Sequence, residues 1–287
     1  MKIKSILFPV DFSDRCAAVV PHVEAAARRF GASVTLLHMV EPLVMPYGPI
    51  ETLAFAGLQP VSLVVKAKEM LAVIAGSAFD GVSVRRVVDI GDPASCIASL
   101  ARDWDIGLIM MPTRGRGPFR AALLGSVAAK VLHDADCPVW TAAHVEELGE
   151  GRHVEWRNII CAVDLSPEST HLIQAAQDLN RTVGAIIRIA HAVPGEEALP
   201  QRLLNAEFEN SLKQQAARTI QDIQSDTGTN FEVCIETGEV SRAIASCARR
   251  HDADLVLAGR GLDRGVTRLR SHTYAIVRDA ACPVLSI

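Results

Sequence analysis

The residues best suited to bind a charged ligand form a turn in the first half of the chain, Thr113-Arg114-Gly115-Arg116-Gly117. The turn follows a short apolar run and leads towards a predicted helix. Glycines at such a turn let the backbone approach a phosphate closely, and the start of a helix offers unpaired N–H donors with a partial positive charge. The arginines here, together with Arg120, could add charge-assisted hydrogen bonds. A plain tight turn between a strand and a helix needs the same glycines, so the spacing leaves both interpretations open.

Two further positions could join this site. Gly125-Ser126 lies ten residues beyond Gly115 and offers a second small contact. Asp11 ends the first apolar run of the chain. Because ligands of open parallel sheets bind outside the carboxyl ends of the strands, where the strand order reverses, we expect Asp11 and the turn to face one crevice.

Histidines and cysteines supply weaker candidates. His133-Asp134 has metal-binding residue types, but no further ligand of suitable spacing lies nearby, and a histidine at a helix end suits the helix dipole. His38 and His191 recur at equivalent strand ends, where a backbone carbonyl is a more common partner than a ligand. Two Cys-Pro pairs, at Cys137 and Cys282, begin the last strand of each half, and this repetition favours packing over redox chemistry.

Alternating strands and helices must position these residues. Short apolar runs predict buried parallel strands, and apolar residues at helical spacing predict helices between them. A loop rich in proline and glycine is predicted over Glu41–Pro60. In the first half the predicted strands are Ile3–Val10, Ser33–Val40, Val82–Asp89, Ile106–Met111 and Pro138–Ala142, and the predicted helices are Asp14–Phe30, Val61–Phe79, Asp92–Arg102 and Phe119–His133.

The second half of the chain repeats the first. The apolar run and Val-Asp-x-Ser around Asp11 recur 153 residues later around Asp164, and the Cys-Pro-Val at Cys137 recurs 145 residues later at Cys282. The matched segments keep their order, which indicates an internal duplication. We therefore predict an α/β protein with two repeated open, parallel five-stranded sheets and helices on both faces. The predicted domains are residues 1–143 and 156–287, joined by a polar, glycine-containing linker.

Composition excludes several classes of protein. The formal net charge is −4, whereas a nucleic-acid-binding protein usually carries a strong basic excess. No apolar stretch is long enough for a membrane span, and the first apolar run is too short for a signal peptide. Seven scattered cysteines without a CxxC pair favour a reduced, cytoplasmic location.

Together these residues resemble the nucleotide-binding universal stress proteins, whose ATP motif reads Gly-x2-Gly-x9-Gly-Ser/Thr. The resemblance covers essentially the whole chain twice, and it implies an adenine-nucleotide alpha-hydrolase-like, Rossmann-like fold. It further implies that ATP or a related adenine nucleotide binds, with Mg²⁺ as an accompanying ion. The implied ligand-binding residues are Pro9, Asp11, Val40, Thr113, Gly115, Gly125, Ser126 and Val127.

Both copies depart from the motif. Pro112 stands at the first glycine position, where its lack of an N–H removes one phosphate donor. The second copy keeps Asp164 and a Gly259-Arg260-Gly261 turn, but the stretch before its last helix reads Arg270-Ser271-His272 in place of Gly-Ser. We therefore expect the first copy to be the preferred nucleotide site.

We expect a stress-response binding module without catalytic activity, because no nucleophile–base pair and no Walker sequence is found. A nucleotide-independent scaffold with a decayed site and a slow ATP-hydrolysing enzyme remain alternatives. The two copies are expected to form an internal pseudo-dimer through Pro138–Ala142 and Pro283–Ile287, because exposed apolar edge strands need cover. Homodimerisation stays open, and neither nucleic acid nor a membrane is expected as a partner.

Overall fold

The computed structural model describes residues 2–41, 50–114, 124–143, 155–195, 206–260 and 271–287, with backbone only at 50–60, 75–77, 206 and 271. The described residues divide into two compact units, with the main division between Val139 and Trp140. All strand pairs recorded within each repeat are parallel, as expected from the alternation of strands and helices.

In the sheet of the first repeat, the direction in which successive strands are added changes at the first strand. Its order is β3-β2-β1-β4-β5, so the chain winds outwards from β1 in one direction and then in the other. The strands are β1 Ser5–Pro9, β2 Ser33–Val40, β3 Val84–Ile90, β4 Leu108–Pro112 and β5 Val139–Ala142. The helices are α1 Asp14–Phe30, α2 Ile50–Ala78, α3 Pro93–Asp103 and α4 Ser126–Asp134.

The second repeat has the same topology, with sheet order β8-β7-β6-β9-β10. Its strands are β6 Asn158–Ala162, β7 Ile186–Val193, β8 Glu232–Thr237, β9 Leu255–Ala258 and β10 Val284–Ser286. Its helices are α5 Glu168–Val183, α6 Ala206–Thr227, α7 Val240–Arg250 and α8 Ser271–Asp279. The predicted doubly wound α/β architecture, present twice, is confirmed.

The core of each repeat lies on the central strands. Ile6, Leu7 and Phe8 of β1 are fully buried, as are Ile159 and Ile160 of β6, which is why these strands read as continuous apolar runs. The helix ends follow local chemistry. Ser13 caps α1 through its side chain, and Gly31 ends it in the left-handed conformation at φ 60°.

Most helix boundaries lie within one residue of the sequence prediction, but the starts of α2 and α4 do not. Helix α2 begins at Ile50, so the part of the predicted loop Glu41–Pro60 that follows residue 49 is helical. An interior proline removes one backbone hydrogen bond, but the alanine- and leucine-containing segment around it has high helix propensity. Helix α4 begins at Ser126, because Gly125 is extended, at φ −65° and ψ 147°, and the predicted start at Phe119 lies outside the described residues. None of the described helices is long and apolar enough to cross a lipid bilayer.

Candidate functional site

Asp11 follows β1, and the chain itself fixes its carboxylate. Asp11 Oδ1 accepts hydrogen bonds from the Ser13 backbone N–H at 3.0 Å and from the Ser13 hydroxyl at 2.6 Å. The Ser13 hydroxyl in turn accepts from the Cys16 N–H at 3.1 Å and so caps α1. Burial raises the pKa of the Cys16 thiol to about 12, so this thiol, which is near the Asp11 carboxylate, stays neutral. The carboxylate is thus held at the carboxyl end of the central strand.

The strand-end histidines have structural roles in both repeats. His38 Nδ1 lies 2.7 Å from the Val10 carbonyl oxygen, and His191 Nδ1 lies 2.9 Å from the Val163 carbonyl oxygen. Each ring donates to the backbone just before the acidic residue that follows the central strand. The backbone-carbonyl role predicted for both histidines is confirmed. His133 lies in the last turn of α4 and contacts Asp134 at 2.7 Å, as expected for a histidine that ends a helix.

Gly125 makes a close backbone approach to the end of β4. Its N–H donates to the Thr113 carbonyl at 2.8 Å, and a Cβ at this position would lie only 3.0 Å from that oxygen. This close approach therefore favours a residue without a side chain here. Arg114 follows Thr113, and its Nε is buried without a hydrogen-bond partner in the described part of the chain. A buried donor of this kind favours an acceptor such as an anion.

The sheet brings most of the predicted ligand residues to one edge. Because β1 pairs with β2 and with β4, the ends of these strands meet beside Asp11. The hydrogen bond from Gly125 to Thr113 brings the start of α4 to the same edge. The residues assembled there are Pro9, Asp11, Val40, Thr113, Gly125, Ser126 and Val127. Gly115 lies outside the described residues.

The second repeat holds a cavity of about 330 Å³ at the carboxyl ends of β6, β7 and β9. This is the point where the strand order of the repeat reverses, which is where doubly wound sheets bind ligands. Helices α5, α7 and α8 complete its walls. The lining residues are Ala162, Val163, Asp164, Ser166, Glu168, Ser169, Leu172, His191, Ala192, Val240, Ile244, Ala258, Gly259, His272, Thr273 and Ile276.

Asp164 occupies the position in this cavity that Asp11 occupies in the first repeat. Its Oδ1 accepts hydrogen bonds from the Ser166 N–H at 3.0 Å, the Ser166 hydroxyl at 2.6 Å and the Ser169 hydroxyl at 3.1 Å. Ser169 is buried in the first turn of α5. The carboxylate is therefore an oriented acceptor on the cavity wall.

The structure also corrects how the end of the cavity should be matched to the first repeat. Helices α4 and α8 both have 9 residues and both end at an aspartate, so Ser271 corresponds to Ser126 and Arg270 to Gly125. By the same comparison Gly259, which follows β9, corresponds to Pro112 at the end of β4. The second repeat thus has Gly259 at the first glycine position of the motif and Ser271 at its serine position, an assignment that comparison of the sequences alone did not make. The equal spacing from each serine to the following Cys-Pro pair could have revealed this match.

In the second repeat a side chain connects the strand end to the helix. The Thr273 hydroxyl donates to the Gly259 carbonyl at 2.8 Å, whereas in the first repeat the Gly125 N–H donates to the Thr113 carbonyl. Thr273 is almost completely buried. The Thr273 hydroxyl therefore links the first turn of α8 to the end of β9.

The cavity combines apolar walls with two carboxylates. Leu172, Ile244 and Ile276 supply apolar surface, while Asp164 and Glu168 supply negative charge. Among the described residues that line it, none is a lysine or an arginine. The arrangement suits a ligand with an apolar ring and hydrogen-bond donors better than a bare anion.

Fold and site together define this chain as a tandem of doubly wound, Rossmann-like α/β domains, each with an acidic residue after its central strand. The sequence profile of the Universal stress protein family matches residues 2–142 and 155–287. The chain therefore belongs to the universal stress protein family and contains two of its domains.

Individual relatives match one domain at a time. Universal stress protein MJ0577 of Methanocaldococcus jannaschii is 28% identical over 149 residues, which are 47% of this chain and 92% of that protein. Universal stress protein MJ0531 of the same organism is 31% identical over 137 residues, 47% of this chain and 79% of that protein. The crystal structure of a universal stress protein from Archaeoglobus fulgidus covers 98% of this chain and 95% of its own, with a TM-score of 0.70 and 21% identity. This last likeness extends the shared fold over both domains.

Proposed function

We propose that this universal stress protein binds an adenine nucleotide without chemically converting it, and that the cavity of the second repeat holds the nucleoside. The cavity is the observation that supports this most directly. It lies at the switch point of the sheet, and its volume of about 330 Å³ falls within the usual range for small-molecule sites, roughly 300–1,000 Å³. The apolar side chains of Leu172, Ile244 and Ile276 suit a purine ring.

The polar groups of the cavity fit a ribose better than a phosphate. Ribose hydroxyls can donate to the Asp164 carboxylate, which its serine partners hold in one orientation. A phosphate in the same place would be repelled by Asp164 and Glu168. The phosphates are therefore expected outside the cavity, towards the first turn of α8, where helix N–H groups favour negative charge. A Mg²⁺ ion carried by the nucleotide would offset the remaining repulsion.

Binding without turnover is part of the proposal because the sequence contains no nucleophile–base pair and no Walker sequence. A scaffold that needs no nucleotide is the alternative, and it predicts no binding at either repeat.

The first repeat remains a second nucleotide site by the resemblance of its motif. Asp11, Gly125 and Ser126 lie at one edge of its sheet, and the buried Arg114 Nε offers an anion a donor. The sequence predicts that the nucleotide prefers the first repeat, whereas the cavity favours the second repeat. The two aspartates allow the sites to be compared by the same chemical change.

We expect Asp164→Asn to weaken binding of ATP and adenosine to the full-length protein about tenfold or more, because a hydrogen bond to a charged group contributes about 1.5–3 kcal/mol. Isothermal titration calorimetry measures this, and Asp11→Asn is the matched control that should leave the second-repeat site intact. Binding lost in Asp11→Asn but kept in Asp164→Asn would assign the nucleotide to the first repeat. The function itself would be contradicted by a wild-type protein that binds neither ligand, or by sustained Mg-ATP hydrolysis that either variant abolishes.

A further inference from the structure

Three side chains with metal-binding atoms meet in the second repeat, at the end of α7 away from the cavity. Cys234 lies on β8, Cys247 lies in the last turns of α7, and His251 follows the last residue of α7. Their ligand atoms all lie within 4.8 Å of one another, and Cys234 Sγ is 3.2 Å from His251 Nε2. None of the three lines the nucleotide cavity.

The backbone explains why these side chains converge. Cys247 and His251 are four residues apart, so they lie on the same face at the end of α7. That end of α7 packs against β8, which places Cys234 opposite both of them. Cys247 is fully buried and His251 is partly exposed, so the cluster reaches from the core to the surface. A cation could therefore enter from the His251 side.

The set of donors selects the kind of cation. Two sulfurs and one imidazole nitrogen suit thiophilic metals such as Zn²⁺, whereas Mg²⁺ and Ca²⁺ prefer oxygen ligands. Bond lengths of about 2.3 Å to sulfur and about 2.0 Å to nitrogen place tetrahedral zinc ligands about 3.5–3.8 Å apart. The observed spread of 4.8 Å or less needs a contraction of only about 1 Å.

The surrounding charges are compatible with a divalent cation. Two thiolates neutralise a doubly charged ion. Glu236, two residues after Cys234 on the same strand face, pairs with Arg250 at 2.7 Å, so these two neighbouring charges cancel each other. A water molecule can then be the fourth zinc ligand.

We propose that Cys234, Cys247 and His251 form a binding site for one Zn²⁺ ion in the second repeat. The site joins β8, the edge strand of the sheet, to the end of α7. Zinc would therefore hold the sheet edge and the helix together. The proposal is independent of the nucleotide site, because the two share no residue.

The test uses full-length protein that has been reduced and stripped of metal with a chelator. Co²⁺ is added as a spectroscopic stand-in, and Zn²⁺ is then titrated in competition with a chromophoric chelator. We expect a thiolate-to-cobalt charge-transfer absorption that Zn²⁺ removes, with one Zn²⁺ bound per chain. Cys234→Ser and Cys247→Ser should abolish the absorption. His251→Gln should weaken Zn²⁺ binding by more than about 100-fold, the upper end of what loss of an outer-shell partner costs.

Cys96→Ser is the matched control, because Cys96 is a partly exposed free thiol of the first repeat outside the cluster. It should bind Zn²⁺ as the wild type does. His251→Gln keeps the proposal testable if a buried cysteine variant fails to fold, since His251 is partly exposed. The proposal would be overturned by the absence of a thiolate–cobalt band in the wild type, by equal loss in Cys96→Ser, or by a Cys234–Cys247 disulfide in freshly isolated, metal-free protein.

Discussion

Gly125 lies just before α4 and donates its backbone N–H to the Thr113 carbonyl. The nucleotide motif of the family includes a glycine at this position, but the close backbone contact alone already favours it. In the second repeat the Thr273 hydroxyl connects α8 to the strand end, and the sequence has Arg270 at the position that corresponds to the glycine. A motif residue can therefore be retained for packing as well as for a ligand.

Gly125→Ala should lower the free energy of unfolding by about 1–3 kcal/mol, because the added methyl group lies 3.0 Å from the Thr113 oxygen. Chemical denaturation of the full-length protein measures the change. Ser126→Ala, one position later, adds no atom and serves as the control. Equal stability of Gly125→Ala and the wild type would show that the close approach is relaxed at no cost. The glycine would then be explained better by a ligand.

The sequence predicted the residues at the ends of the strands better than the side-chain clusters that form between distant segments. A strand-end aspartate and histidine in each half could be read from the repeat, and both pairs lie where predicted. The Cys234, Cys247 and His251 cluster could not be read in the same way. Its members lie on a strand and at the end of a helix, and no CxxC spacing marks them.

At the scale of elements, α7 and α8 are joined by a short polar network. Asp279, the last residue of α8, accepts a hydrogen bond from the buried Ser241 hydroxyl in the first turn of α7. The pKa of Asp279 is lowered to about 2, mainly by the hydrogen bond from the Arg278 guanidinium and to a smaller extent by the one from the Ser241 hydroxyl. Because α7 and α8 both line the cavity, this network fixes two of its walls relative to each other.

The lowered pKa makes this contact dependent on pH. Since the folded-state pKa lies below the ordinary value of 3.8, the stabilisation is present above about pH 4 and is lost as the pH falls towards 2. Asp279→Asn should therefore cost about 1–2 kcal/mol of unfolding free energy at neutral pH, after allowance for solvent screening, and less below pH 3. Denaturation at several pH values measures this. Ser241→Ala and the double variant complete the cycle, and strictly additive losses would contradict a direct contact.

Helix existence was easier to predict than helix ends. The ends of α1 followed from Ser13 and Gly31, whose capping chemistry is local. The start of α4 did not, because it depends on the contact of Gly125 with Thr113, which are far apart along the chain. The predicted start of α2 was wrong, because the proline and glycine content of the segment was interpreted as a loop. The backbone is helical from Ile50.

For the whole molecule, the duplication was the most reliable inference from sequence, and the family profile matches both halves. The two domains have kept different parts of one motif. The first retains Gly125-Ser126 but carries Pro112, and the second retains Gly259 and Ser271 but carries Arg270. The cavity of the second domain could not be foreseen, because its volume depends on how α5, α7 and α8 pack at the strand ends.

Photoaffinity labelling with an azido-substituted adenosine triphosphate tests the central claim most directly, because it reports where the base lies. The full-length protein is irradiated with the probe and digested, and the labelled peptides are identified by mass spectrometry, with unmodified ATP as competitor. We expect competed labelling on cavity segments of the second repeat, such as Ala162–Leu172 or His272–Ile276. Competed labelling confined to the first repeat, or no competed labelling at all, would contradict the assignment of the nucleoside to this cavity.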